Sequence, residues 1–141
     1  MDWRKRGHFT QAIGRSRSGL TTKIHAVVDA LGNPIRIKPT AGNIHDINPA
    51  NAMITRYCSD YFLSGRAYDA DRLIHLAESQ RSKIVISPKS NRIDQREYDR
   101  HIYKARHLVE CFLAKLKVFR RVSTRYEKLA KIYRAAILIA L

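Results

Sequence analysis

The sequence predicts an α/β fold, a mixed sheet flanked by helices. Three observations carry that expectation. Short runs with a period of two or rich in β-branched residues recur at Thr21–Thr40, Tyr61–Leu63 and Lys83–Ser87. Stretches with helical periodicity follow them, and Gly, Pro and Asn punctuate the joins. Strands alternating with helices imply a sheet with helices packed on it. A chain of 141 residues fits one domain large enough for a real core, and no repeat or linker divides it.

In chain order, residues 1–17 read as a basic N-terminal arm. Arg4, Lys5, Arg6, Arg15 and Arg17 occur there with little apolar periodicity. Solvated charge and DNA contact are both open for it. Residues 18–141 form the folded domain. Ile24, Ala26 and Val28 face one way, while Lys23, His25 and Asp29 face the other. Gly32-Asn33 supplies a turn, and Ile35 and Ile37 alternate with Arg36 and Lys38, which makes a β-hairpin. His25 reads as a strand-face residue rather than a catalytic one. His45 beside Asp46 reads as a loop histidine next to a helix cap.

The first helix is capped by Asp46 or Asn48, takes Pro49 in its first turn, and buries Ile47, Ala50, Ile54 and Tyr57. Tyr61-Phe62-Leu63 is a short strand ending at Gly65. A helix from Asp69 to Ser79 turns Leu73, Leu76 and Ala77 inward. Lys83–Ser87 is a buried strand stopped by Pro88, and a basic loop, Lys89–Arg96, follows. The last helix runs from Tyr126 to Ile139.

Between these lies Tyr103–Lys117. On a continuous α-helix Tyr103, Arg106, Glu110 and Lys117 fall within an arc of roughly 60°. Ala105, Leu108, Phe112, Leu116 and Phe119 gather on the opposite side. Spacing alone leaves two readings open: a solvated face with an Arg/Glu pair, or a carboxylate set among cationic groups for a purpose.

Composition narrows the partners. There are 27 Lys+Arg against 12 Asp+Glu, a formal charge of +15. Such an excess favours a polyanionic partner through counterion release. Cys58 and Cys111 are in no metal-ligand spacing and read as reduced thiols. No apolar run approaches the ~18 residues a membrane span requires. The expected setting is therefore cytoplasmic.

Seven stretches together resemble one family. They are Gly14–His25 (GRSRSGLTTKIH), Asp29–Pro34 (DALGNP), Ala41–Asp46 (AGNIHD), Ala67–Asp71 (AYDAD), Ser87–Arg92 (SPKSNR), the Tyr103/Arg106/Glu110/Lys117 signature and Thr124–Ala130 (TRYEKLA). The chain resembles the C-terminal part of DDE transposases from bacterial insertion sequences, in the group with the Y-x2-R-x3-E-x6-K signature. The resemblance implies an RNase H-like fold and metal-dependent DNA strand cleavage and transfer. Two Asp and one Glu would hold two Mg²⁺ ions, a clamp for in-line attack on phosphate. It matches Glu110 to the third, metal-binding and catalytic carboxylate. Tyr103, Arg106 and Lys117 match the accompanying signature. Those residues, with Arg92, Arg120 and Arg121, are the expected phosphate contacts.

The same resemblance exposes two departures. Gly65, in LSGRAYD, occupies the position expected for the second Asp, with Asp69 and Asp71 beyond it as helix caps. The first Asp belongs on a strand upstream of Gly14, and only thirteen residues precede that glycine. The expectation is a truncated, inactive copy lacking its first, central strand, with Mg²⁺ binding in doubt. The alternative is a catalytically silent, non-specific DNA-binding fragment, or a partner of an intact transposase or of a second copy.

Overall fold

Alternating residues build the first sheet. In the computed structural model residues 11–141 are described; Arg4, Lys5 and Arg6 of the expected arm lie outside them. Strand β1 (Gly14–Ser16), β2 (Gly19–Val28) and β3 (Pro34–Ala41) form an antiparallel sheet in that order. Residues 14–16 are therefore a strand, a correction to the expectation of an arm as far as residue 17. Their pairing explains it: Gly14 lies opposite Thr21 and Ser16 opposite Gly19 in a tight hairpin.

The β2–β3 turn is built around Asp29. Its Oδ1 accepts the Leu31 and Asn33 N–H groups, both at 2.9 Å, and Gly32 takes a φ of +86° that suits glycine. The Asn33 main-chain and side-chain N–H groups lead in holding the Asp29 carboxyl below its ordinary range.

The described residues fall into two compact units. One comprises residues 11–45 with Val109–Leu141, and the other is Asp46–Leu108. In the first unit Leu116, Val122, Tyr133 and Ile137 form a buried cluster, with Ile24 and Ile37 of the sheet and Phe112 packed on it. They come from β2, β3 and three helices: α4 (His107–Lys117), α5 (Arg120–Ser123) and α6 (Ala130–Ile139).

Helix α6 starts at Ala130, not at Tyr126 as the periodicity predicts. The reason is Arg125. Its guanidinium donates to the main-chain carbonyls of Gln11 and Ala12 at 2.7 and 2.9 Å, and to Thr22 Oγ1 at 2.7 Å. It also donates to the carbonyls of Glu127 and Lys128 and stacks over the Tyr133 ring at 4.7 Å. One side chain thus holds residues 125–128 out of the helix while tying them to the sheet. Gln11 Oε1 then accepts the N–H of Ala130, serving a helix end whose own flanking residue has no capping side chain.

The second unit is a β-α-β unit with further helices. Strands β4 (Tyr61–Ser64) and β5 (Lys83–Ile86) pair in parallel, which demands a crossover, supplied by α2 (Asp71–Ser79). Helix α1 (Ile47–Ile54) packs beside α2, and Ala50, Ile54, Leu73 and Ala77 make the core with Phe62 and Ile84 of the strands. The α/β class holds, but the parallel and antiparallel pairs lie in separate sheets rather than one mixed sheet. The expected caps also differ. Asp46 flanks α1 without a side-chain capping bond, and Ala70 occupies that position for α2. Asp69 and Asp71 are engaged elsewhere, as described below.

Two motif glycines have a packing reason. A Cβ on Gly42 would collide with the Thr21 hydroxyl and lie 3.0 Å from its carbonyl oxygen, and one on Gly14 would strike Asn43. These contacts bring two of the sequence stretches, Gly14–His25 and Ala41–Asp46, together at one end of the sheet. Gly42→Ala is expected to cost about 1–3 kcal/mol, the usual penalty of forcing atoms into a packed site, read from the urea midpoint. Gly65→Ala, where a Cβ meets nothing within 4 Å, should stay within about 0.5 kcal/mol of the parent. Equal midpoints for the two variants would contradict this packing account.

Candidate nucleic-acid interface

The carboxyl ends of the parallel strands carry the chemistry of the second unit. Chain leaving β4 passes Gly65 and a 3-10 turn, Arg66–Tyr68, before reaching Asp69. Chain leaving β5 enters the loop from Ser87 to Arg96. Open parallel sheets place ligands at this end because the connecting loops converge there.

Asp69 joins the two connections. Its side chain is fully buried. Oδ2 accepts the Lys89 N–H at 2.7 Å and Arg92 Nε at 3.0 Å, while Oδ1 accepts an Arg96 terminal nitrogen at 3.0 Å. Burial raises the pKa of such a group, but the Lys89 N–H, Arg96 and Arg92 outweigh it and hold Asp69 below its ordinary value. Arg92 reaches on to Asp71 Oδ1 at 2.6 Å. Asp71 is largely exposed, so that second contact adds little. The A-Y-D and S-P-K-S-N-R stretches are thus two halves of one buried ion cluster.

The signature residues are divided between short elements. Helix α3 (Arg100–Tyr103) is followed by a 3-10 turn, Lys104–Arg106, and then by α4. Asp99 caps α3, accepting the N–H groups of His101 and Ile102. The arc expected for four residues on one uniform helix therefore applies only to Glu110 and Lys117, since a 3-10 turn has about three residues per turn. Both of these are exposed. Tyr103 is half-buried, packs edge-on against Tyr98 at 5.1 Å, and carries the Arg106 guanidinium over its ring at 5.2 Å.

The expected phosphate contacts thus differ in availability. Arg120 and Lys117 are exposed. Arg92 is committed to Asp69 and Asp71, and Arg121 donates twice to Glu127 Oε1, at 2.9 and 2.6 Å. Sequence reasoning missed the role of Asp69, although the co-occurrence of its motif with the Ser87–Arg92 motif was the available signal. Among the described residues no three His, Cys, Asp or Glu side chains are grouped so that they could hold a metal ion.

Comparison with known proteins adds to this geometry. The sequence matches the family described as Transposase DDE domain over residues 1–141. It is 40% identical over 111 residues to a Brucella ovis protein whose name assigns it, as a transposase, to insertion sequence element IS6501. That alignment covers 77% of this chain and 85% of the relative. No solved structure matches the chain.

Removing the charge of Asp69 tests the cluster. Asp69→Asn is expected to cost about 3 kcal/mol, the low end for breaking a buried ion pair, because both arginines keep some access to water. The pH dependence has a definite sign. A carboxyl whose folded pKa lies below its unfolded value stabilises fully above the unfolded value, here 3.8, and loses that contribution as pH falls through the folded value. Unfolding midpoints of parent and variant should stay a constant distance apart above about pH 3.8 and converge progressively as pH falls below it. A constant separation down to the acid limit would show that the Asp69 charge is not the source.

Proposed function

The chain belongs to the DDE transposase domain family of insertion sequences, and from that premise we propose a DNA-binding domain whose own carboxylates do not complete a cutting site. The observation that carries this reading is the commitment of Asp69. Both of its oxygens are taken by cationic or N–H donors, inside the protein.

The family generally works with divalent metal ions, and hard cations of that kind need several carboxylate oxygens in a fixed array. The described residues do not fit that need. Glu110 lies exposed on α4, Asp69 is neutralised by arginine, and Gly65 stands where the resemblance puts a second Asp. Neither backbone nor space demands glycine there, since φ is −73° and a Cβ would meet nothing within 4 Å. An aspartate would therefore fit there without strain.

DNA binding follows from family membership together with the +15 charge. Lys117, Arg120 and Arg121 are the exposed members of the expected phosphate contacts, Arg121 being paired with Glu127. An RNase H-like arrangement is part of the same proposal, supported by the order of antiparallel hairpin, parallel β-α-β unit and closing helices. Association with a second transposase chain is a companion reading, supported by the apolar Ile132, Leu138 and Ile139 left in water on α6. No helix among the described residues is long and apolar enough to cross a membrane.

Anisotropy titrations of the full chain against unrelated duplexes should give similar affinities. The log of the binding constant should fall with log salt, at a slope of roughly −4 to −5 if about five phosphates are neutralised. A salt-independent affinity, or strong preference for one sequence, would contradict the DNA reading. With Mg²⁺ or Mn²⁺ the same chain, and the Gly65→Asp variant, should leave a duplex unnicked. Metal-dependent cleavage lost on Glu110→Gln would contradict the claim of an incomplete site.

A further inference from the structure

A cavity of about 720 Å³ opens at the carboxyl ends of β4 and β5. Arg66, Arg96 and Arg100 line it together with the buried Ser87 and one carboxylate, Glu97. Three guanidinium groups therefore outnumber the single acid on its wall. Asp69 does not change that balance in favour of cations, because it lies beneath Arg96 and is shared with Arg92 and the Lys89 N–H.

Arg96 is the informative member. One terminal nitrogen is held by Asp69 at 3.0 Å, which anchors the guanidinium at one end. Its Nε is buried and has no hydrogen-bond partner among the described residues. Buried donors are nearly always satisfied, so an orphan on a charged group needs an explanation. Arg66 makes only a long contact of 3.4 Å to the Ser87 hydroxyl, and no ion pair to Arg66 or Arg100 is present among the described residues. Planar, multiply donating guanidinium groups match the oxygens of a phosphate.

We propose that this cavity is a phosphate-binding pocket, in which the guanidinium groups of Arg66, Arg96 and Arg100 hold one phosphodiester of bound DNA. The choice of DNA as the source of the phosphate rests on the reading given under Proposed function; the anion site itself rests on the arginines and the cavity. The buried Asp69 cluster acts as the fixed floor that positions Arg96, so the pocket is preorganised rather than assembled from mobile surface side chains. A cavity of this size has room for the nucleotide on either side of the phosphate.

The test follows the Arg96 Nε–H signal by NMR in the full chain labelled with ¹⁵N. Inorganic phosphate should move that signal saturably, and a short duplex at low salt should move it the same way. Arg66→Ala combined with Arg100→Ala removes two exposed side chains with no partner among the described residues beyond the Ser87 contact, and the core amide signals verify that the fold persists. That variant should bind phosphate at least 10-fold more weakly, and its salt slope for duplex binding should shrink by about 0.9, one phosphate. Lys131→Ala with Arg134→Ala, an equal loss of charge on α6, should leave the phosphate titration unchanged. Absence of a saturable shift, or equal weakening in both double variants, would overturn the pocket. Saturation by phosphate with no response to a duplex that the chain binds would overturn DNA as the source. A parent chain that binds no duplex would overturn the DNA reading instead, while the phosphate titration would still decide the pocket.

Discussion

A buried carboxylate must find donors or lose its charge, and Asp69 finds three. That requirement organises the Asp46–Leu108 unit beyond its apolar core. It draws the loop after β5 onto the connection after β4, fixes Arg92 and Arg96, and shapes the end of the sheet where a ligand would sit. It also decides what Asp69 cannot do. Oxygens engaged by two guanidiniums and a main-chain N–H are poor candidates for a cation, so the same contacts that hold the loop argue against a metal role. In the other unit Arg125 plays a comparable structural part, satisfying three partners on residues 11, 12 and 22 and two carbonyls of its own loop.

Much of the fold was legible because the signals were local. The β2–β3 hairpin follows from alternation and turn residues, and helices α1 and α2 follow from their apolar stripes. Ala50, Ile54, Leu73 and Ala77 are buried as the periodicity requires. The errors arose where a distant side chain overrides local preference. Arg125 keeps residues 125–128 out of the last helix, and a 3-10 turn divides the signature helix. The division of the strands into two sheets depends on long-range pairing that no window of sequence reports.

The candidate site was half legible. Recognising the motif stretches identified the family, and family membership now rests on a match along the whole chain. The roles inside those stretches were harder to read. Asp69 looks like a helix cap in sequence, and Arg92 looks like a phosphate contact, because nothing local says that they meet across 23 residues. Arg66 and Arg100 belong to no motif role at all; only the convergence of the chain after β4 and β5 brings them to one cavity with Arg96. Gly65 is the opposite case, since its importance came from comparison of sequence, and the structure adds that a side chain would fit there.

The central claim is that the charge of Asp69 serves the protein's own arginines and is not shared with a metal ion. Paramagnetic broadening of the carboxyl carbons during a Mn²⁺ titration reads this most directly, with Asp69 and Glu110 followed as resolved signals. The account predicts no saturable, localised broadening at Asp69 while its contacts to Lys89, Arg92 and Arg96 persist. Saturable broadening of Asp69 and Glu110 together would mean that both carboxylates serve one metal, and would contradict it.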